Sequence, residues 1–368
     1  MAPDQTKASR IARARRFMAE QQLDVLVVGS TDSIASQGNV RFLTGYATVF
    51  GVSLALLGPD GDPVLLVPSG SFQKNWAETT AWTTTIKAVP HLAASALETI
   101  KEMAAGKVTV GLAGFEDLPG ALNLHDAGAP PGMRFVSVSA PFRLMRAVKT
   151  SDEIDQMRRS VVLADAALSA LPATLQTDSP ENALFARAAA ELFSEGAEHF
   201  FLLGSTGARA PAAVPAARAL QPGDLVRFSI EPAGPGGFWT QTIRVFSLGR
   251  PSVEIQRAFD LCAAALTQAE GRLRPGATGG EVAQAITRIL EQADGARPGP
   301  LGHGMGLDLT EPPFLQPEDE TRLEPGMVIA LHPYLSLGEI VIWMGDTYLV
   351  TEGQPQRLSG LPNELVVV

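Results

Sequence analysis

The sequence predicts two successive domains, an α/β domain with a mixed sheet over residues 1–143 and an α+β domain over residues 144–368. Three observations carry this division. A chain of 368 residues is long enough to bury two separate cores. Short apolar runs alternate with helical stretches through the first half. From Met145 onward strand pairs are interspersed with helix pairs.

In order, the first helix is expected near residue 9, with Ser9 as its cap and Ile11, Ala14 and Met18 as its inward stripe. Residues 23–28 read as a buried strand. Residues 53–57 and 64–67 flank the turn Pro59-Asp60-Gly61-Asp62 and predict a hairpin. Residues 107–112 and 134–138 read as further strands, with a helix over 91–103. Thr150 and Glu153 form a capping-box signature. After it Ile154, Met157, Val161, Ala164 and Leu168 recur at helical spacing. Then follow a helix over 180–194, a strand over 200–203, and a strand pair over 225–230 and 238–246. Helices over 254–273 and 280–293 come next, and strands over 327–334, 339–343 and 347–351 end the chain.

A formal net charge of −10 disfavours nucleic acid and anionic membrane surfaces as partners, since phosphates would be repelled. No apolar run reaches the ~20 residues of a membrane span. The lone Cys262 lies in a helical pattern and reads as a small buried hydrophobe. It cannot form an internal disulfide, so a cytoplasmic location is the expectation. The arginine-rich start reads as a surface helix rather than a transit peptide, because it runs straight into a strand.

Several segments, in order, carry a family resemblance. They are Asn39-Val40-Arg41-Phe42-Leu43-Thr44-Gly45-Tyr46, then Arg146-Ala147-Val148-Lys149-Thr150 with Glu153-Ile154 and Met157-Arg158. Pro222-Gly223-Asp224 leads to Gly237-Phe238-Trp239-Thr240-Gln241-Thr242-Ile243-Arg244. Gly302-His303-Gly304-Met305-Gly306, Glu311-Pro312, Leu323-Glu324-Pro325-Gly326-Met327 and Asp346-Thr347 complete the set. Together they resemble the creatinase / aminopeptidase P / methionine aminopeptidase superfamily. The resemblance implies a creatinase-type N-terminal domain followed by the pita-bread catalytic fold. It also implies a homodimer.

Metallopeptidases of that superfamily hold two divalent ions with two Asp, one His and two Glu. Matched to this chain, those positions fall at Ile230 (beside Glu231), Gln241, His303, His332 and Gly345, so one ligand in five is kept. Such ions need several anionic oxygens. The sequence reading therefore assigns no metal and no cofactor. It expects a metal-independent, creatinase-like hydrolase acting on a C–N bond of a small substrate. His303, His332 and Glu231 are the candidate catalytic residues. Gln241, Glu311, Thr310, Trp239, Trp343 and Arg244 are candidates for substrate binding. Two alternatives stand beside this: a non-catalytic pseudo-peptidase that binds a peptide or protein, and an Xaa-Pro-type peptidase with a remodelled single-metal site. His91, His125 and His199 fall in no motif.

Overall fold

The computed structural model describes residues 3–119, 122, 124, 127–207 and 209–368. They form two compact units, Met1–Arg146 and Ala147–Val368. His125 lies outside the described residues.

The first unit contains α1 (Pro3–Glu20), β1 (Val25–Thr31), α2 (Gly38–Thr44), β2 (Val52–Leu57) and β3 (Val64–Pro68). It continues with α3 (Ser71–Thr80), β4 (Thr85–Val89), α4 (Leu92–Met103), β5 (Val108–Ala113), β6 (Met133–Ser137) and α5 (Ser139–Ala147). Its six-stranded sheet has the order β4-β3-β2-β1-β5-β6. The β1–β2 and β2–β3 pairs are antiparallel, while β1–β5, β5–β6 and β3–β4 are parallel. Consecutive residues of β1 and β2 are buried on both faces, which explains their unbroken apolar runs. Ser9 does not cap α1, which starts at Pro3 because no helix-breaking residue intervenes before it. The expected inward stripe of Ile11, Ala14 and Met18 is buried, together with Phe17.

The Asn39–Tyr46 segment is a capped turn of helix. Gly45 takes the left-handed conformation (φ 76°) and its N–H bonds the Arg41 carbonyl. Asn39 Nδ2 donates to the Gly29 carbonyl, and Arg146 Nη1 donates to Asn39 Oδ1.

The second unit begins with α6 (Ser151–Ala170), capped reciprocally by Thr150 and Glu153 as expected. Then come α7 (Glu181–Ser194), β7 (His199–Thr206), β8 (Leu225–Ala233), β9 (Thr242–Ser247), α8 (Val253–Glu270) and α9 (Gly279–Leu290). The remaining strands are β10 (Arg297–Pro298), β11 (Gly302–Gly304), β12 (Glu311–Phe314), β13 (Val328–Leu331), β14 (Tyr334–Leu337), β15 (Ile340–Trp343), β16 (Asp346–Leu349), β17 (Gln356–Arg357) and β18 (Leu365–Val367).

They pair as three sheets, β18-β9-β8-β7, β12-β11-β13-β16-β17 and β10-β14-β15. One core, including Leu163, Phe185, Phe228 and Ile230, lies where α6 and α7 cover the first sheet. Another, including Phe259, Leu266, Ile286 and Ile329, lies under α8 and α9. An isolated bridge between Ile243 and Gly345 joins the first sheet to the second. This is the two-domain pita-bread architecture. Among the described residues, no helix is long and apolar enough to cross a membrane.

The strand expected over 327–334 is two strands in two different sheets. Pro333 has no N–H to continue the ladder, so pairing breaks at His332-Pro333. That break places His332 at the join.

Candidate active site

Strand alternation decides which side chains of β8 face the site. Phe228 and Ile230 turn into the core under α6 and α7. Ser229 and Glu231 share the opposite face. The carboxylate beside this position is therefore Glu231, while Ile230 is an ordinary core residue. Gln241 stands one step past the last ladder pair of β8 and β9, Ile230–Thr242. Its Nε2 donates to Glu231 Oε1 at 2.8 Å, and Ser229 Oγ donates to the same oxygen at 2.8 Å.

Thr347 ties this corner to the second sheet. Its hydroxyl accepts from the Gln241 N–H (2.9 Å) and donates to the Gln241 carbonyl (2.8 Å). Thr347 pairs with Ala330, and Ala330 pairs with His303. A row across the sheet thus runs from Gln241 through Thr347 and Ala330 to His303. The His303 and His332 rings meet edge to face with centroids 5.3 Å apart, and the Trp343 ring stands 6.2 Å from His332.

The electrostatics follow from burial. Desolvation raises the Glu231 carboxyl to about 7, against the two hydrogen bonds that favour its charged form. Burial lowers His332 to about 3, reinforced by the neighbouring His303, and burial lowers His303 as well. Both imidazoles are neutral at pH 7. Among the described residues, the buried side-chain atoms without a hydrogen-bond partner include Gln241 Oε1 and His332 Nδ1, and with them Thr240 Oγ1, Thr242 Oγ1 and Arg244 Nε.

Glu231 and Gln241 thus form one contact group and His303, His332 and Trp343 another, linked across the sheet through Thr347 and Ala330. Other candidates are engaged elsewhere. Arg244 is buried on Asp346 (2.8 Å), with further bonds to Ser359 and the Leu361 carbonyl. The Trp239 ring packs on His199 at 5.3 Å. Glu311 is buried against Lys149 (3.0 Å) and accepts the Asp308 N–H. Thr310 is half-buried just before β12. The sequence reading gave no site role to Ser229, Thr347 or Lys149, although Lys149 and Thr347 stand in its quoted segments. Ser229 was detectable as the residue two before Glu231 on a strand. Thr347 was marked by the Asp346-Thr347 segment, but its bond to Gln241, 106 residues away, has no local cause.

The residues present do not fit a pair of divalent ions. Ile230 points into a core, Gln241 is neutral, and His332 lies against another imidazole. At Gly345 a Cβ would stand 2.3 Å from the Leu331 carbonyl oxygen and 2.8 Å from His332 Cβ. The end of β13 thus fills the space that a side chain at 345 would enter. Among the described residues, no group of three or more His, Cys, Asp or Glu is placed to hold an ion. One prediction follows from the closure at Gly345. Gly345→Ala should destabilise the protein by about 1–3 kcal/mol in urea denaturation, because the strand must shift to admit the methyl. A cost near zero would show that the strand end yields freely.

Comparison with known proteins places this geometry. Residues 155–352 match Metallopeptidase family M24, and residues 10–148 match the Creatinase/Prolidase N-terminal domain. The probable dipeptidase PepE of Mycobacterium tuberculosis is 27% identical over 72% of each chain. The Xaa-Pro dipeptidase of Pyrococcus furiosus is 24% identical over 97% of this chain and 99% of its own. Among solved structures, the prolidase of Pyrococcus horikoshii superposes with a TM-score of 0.82 at 21% identity, covering 97% of this chain and 100% of its own. Dipeptidase PepE of Mycobacterium ulcerans gives 0.82 at 22% identity, covering 100% and 99%. These relatives overturn the expectation of a metal-independent, creatinase-like hydrolase, because they are peptidases by name and the matched family is one of metallopeptidases. What is kept from that expectation is the coarser statement, a hydrolase fold for C–N bonds. With more than half of its length matched, the chain belongs to metallopeptidase family M24.

Proposed function

We propose that this protein acts on short peptides, hydrolysing a peptide C–N bond at the site formed by Glu231, Gln241, His303 and His332. The observation that carries the reading is the pair of buried, unpartnered polar atoms, Gln241 Oε1 and His332 Nδ1, beside a protonatable carboxyl. Buried polar atoms are nearly always bonded, so an unpartnered Gln241 Oε1 calls for a donor and an unpartnered His332 Nδ1 for a donor or an acceptor. A peptide group brings one of each. The dipeptidase and Xaa-Pro dipeptidase names of the relatives support the same substrate class.

The roles follow from the chemistry of each group. Glu231 exchanges a proton near neutrality, as a general acid–base residue must. Neutral His303 donates its Nδ1–H to the Gly304 carbonyl (3.0 Å), which leaves Nε2 as an acceptor. Trp343 walls the His332 side of the site. A second reading, peptide binding without cleavage, is favoured by one observation: the side chains at 230 and 345 offer no oxygen.

The test is cleavage of a di- and tripeptide library that includes Xaa-Pro sequences, read by mass spectrometry. It is run with and without added manganese, zinc or cobalt ions, with calorimetric binding in parallel. The proposal expects at least one dipeptide class to be split. Binding with no cleavage under any condition replaces it by the second reading, and absence of both sinks the two together.

A further inference from the structure

The row across the second sheet does not stop at His303. On the edge strand β12, Phe314 is the residue that pairs with His303. The residue after it, Leu315, is buried in the core under α8 and α9. Side chains alternate along a strand, so Phe314 turns to the opposite face, the one that His303 shares with Ala330 and Thr347. Paired positions of an antiparallel ladder hold their Cβ atoms about 5 Å apart. Phe314 is nevertheless 41% exposed. A large aromatic side chain thus stands open to solvent beside the histidine at the end of the row.

We propose that Phe314 is a specificity-determining residue of this site, its ring binding an apolar side chain on the residue that flanks the cleaved bond. The protein then favours peptides with Phe, Leu or Met beside that bond. The peptide rests on the function proposed above; the place of the ring beside His303 rests on the strand register alone.

The composition of the row selects an apolar occupant. Phe314, His303, Ala330, Thr347 and Gln241 include no carboxylate, lysine or arginine. The buried cations of this unit are engaged elsewhere, Lys149 on Glu311 and Arg244 on Asp346. Arg227 spends its N–H groups on Ser205 and on the carbonyls of Gly207, Arg209 and Val341. A charged side chain would meet no counter-charge along the row, whereas an apolar one withdraws both itself and the ring from water. An added strand is a poor occupant of the same edge. Pro312 and Pro313 of β12 have no N–H to give to it.

The test is kcat/KM of the intact chain on dipeptides that carry Gly, Ala, Leu, Phe, Lys or Glu at each position in turn. Wild type is compared with Phe314→Leu, Phe314→Ala and Phe314→Glu, replacements that an exposed position tolerates. In wild type, Phe and Leu should exceed Gly by at least about tenfold at one of the two positions. Phe314→Leu should keep most of that ratio, and Phe314→Ala should bring it within about threefold of one. Phe314→Glu should move the preference to Lys, which a merely structural role would not do.

A wild type that does not favour apolar residues, or a ratio unchanged in Phe314→Ala and Phe314→Glu, overturns the proposal. A changed sedimentation coefficient in Phe314→Glu with an unchanged peptide ranking also overturns it, and assigns the ring to an interface between copies. If no dipeptide is split by wild type, the peptide-cleavage reading fails and saturation-transfer NMR with N-acetylphenylalanine amide decides the subsite. Transfer to the ligand ring that falls several-fold in Phe314→Ala supports the apolar subsite, and equal transfer in both proteins rejects it.

Discussion

Lys149→Met is expected to cost about 3–5 kcal/mol of unfolding free energy. Lys149 Nζ lies 3.0 Å from Glu311 Oε2, and the two side chains are 2% and 1% exposed. Removing the ammonium takes a 3.0 Å counter-charge from a carboxylate in a dry interior, which is far more damaging than never having built the pair. The loss reaches the site because Glu311 braces the loop that follows His303. Its Oε1 accepts the Asp308 N–H, and a Cβ at Gly306 would lie 2.3 Å from Glu311 Oε2. The double substitution Lys149→Met with Glu311→Gln should recover most of the stability, since Gln keeps an acceptor for Asp308 without a charge. Urea denaturation at constant slope is the measurement. A loss under about 1 kcal/mol in the single variant would remove this pair as the support of the loop.

The second large effect is acid sensitivity from His332. Its folded-state pKa is depressed to about 3, below the ordinary imidazole value of 6.5. A depressed pKa contributes stability that is fully present above the unfolded value and is lost as pH falls from about 6.5 toward 3. At ~1.4 kcal/mol for each pH unit, the contribution is of order 4–5 kcal/mol as an upper figure. Glu231 works in the opposite direction. Its raised pKa contributes stability that is fully present below about 4.5 and is lost as pH rises toward 7. Stability-against-pH curves for wild type and His332→Phe should separate the two. The variant keeps a ring and removes the titrating nitrogens, so it should lose much of the slope between pH 6 and 3. The residual acid slope belongs partly to His303, which burial also depresses. Identical acid limbs in the two proteins would mean that His332 reaches water easily, contrary to its burial.

Legibility in the sequence tracked how local each cause was. The Thr150–Glu153 cap, the hairpin of β2 and β3, and the buried β1 were readable because their causes lie within a few residues. The helix α3 and the edge strand β4 were missed, since both are largely solvent-facing and give weak apolar periodicity. The break at Pro333 was readable in principle, yet the apolar run across it outweighed the missing N–H. At the site, motif order placed Gln241, His303 and His332, while strand alternation was needed to choose Glu231 over Ile230. Arg244 and Asp346 lie 102 residues apart in sequence, so no local pattern shows that each satisfies the other. The reaction itself was misread for a plainer reason. Lost metal ligands describe what a site lacks, and the creatinase-like reading treated that loss as a positive assignment.

The central claim, that the site joining the β8–β9 hairpin to β11 and β13 acts on short peptides, is tested most directly by one comparison. The dipeptide library is presented to the intact chain and to His303→Ala, with cleavage products followed by mass spectrometry. The account predicts that wild type splits at least one dipeptide class and that the variant, shown to be folded at the assay temperature, loses most of that turnover. Cleavage unchanged by His303→Ala would place the chemistry elsewhere in the molecule and contradict the account.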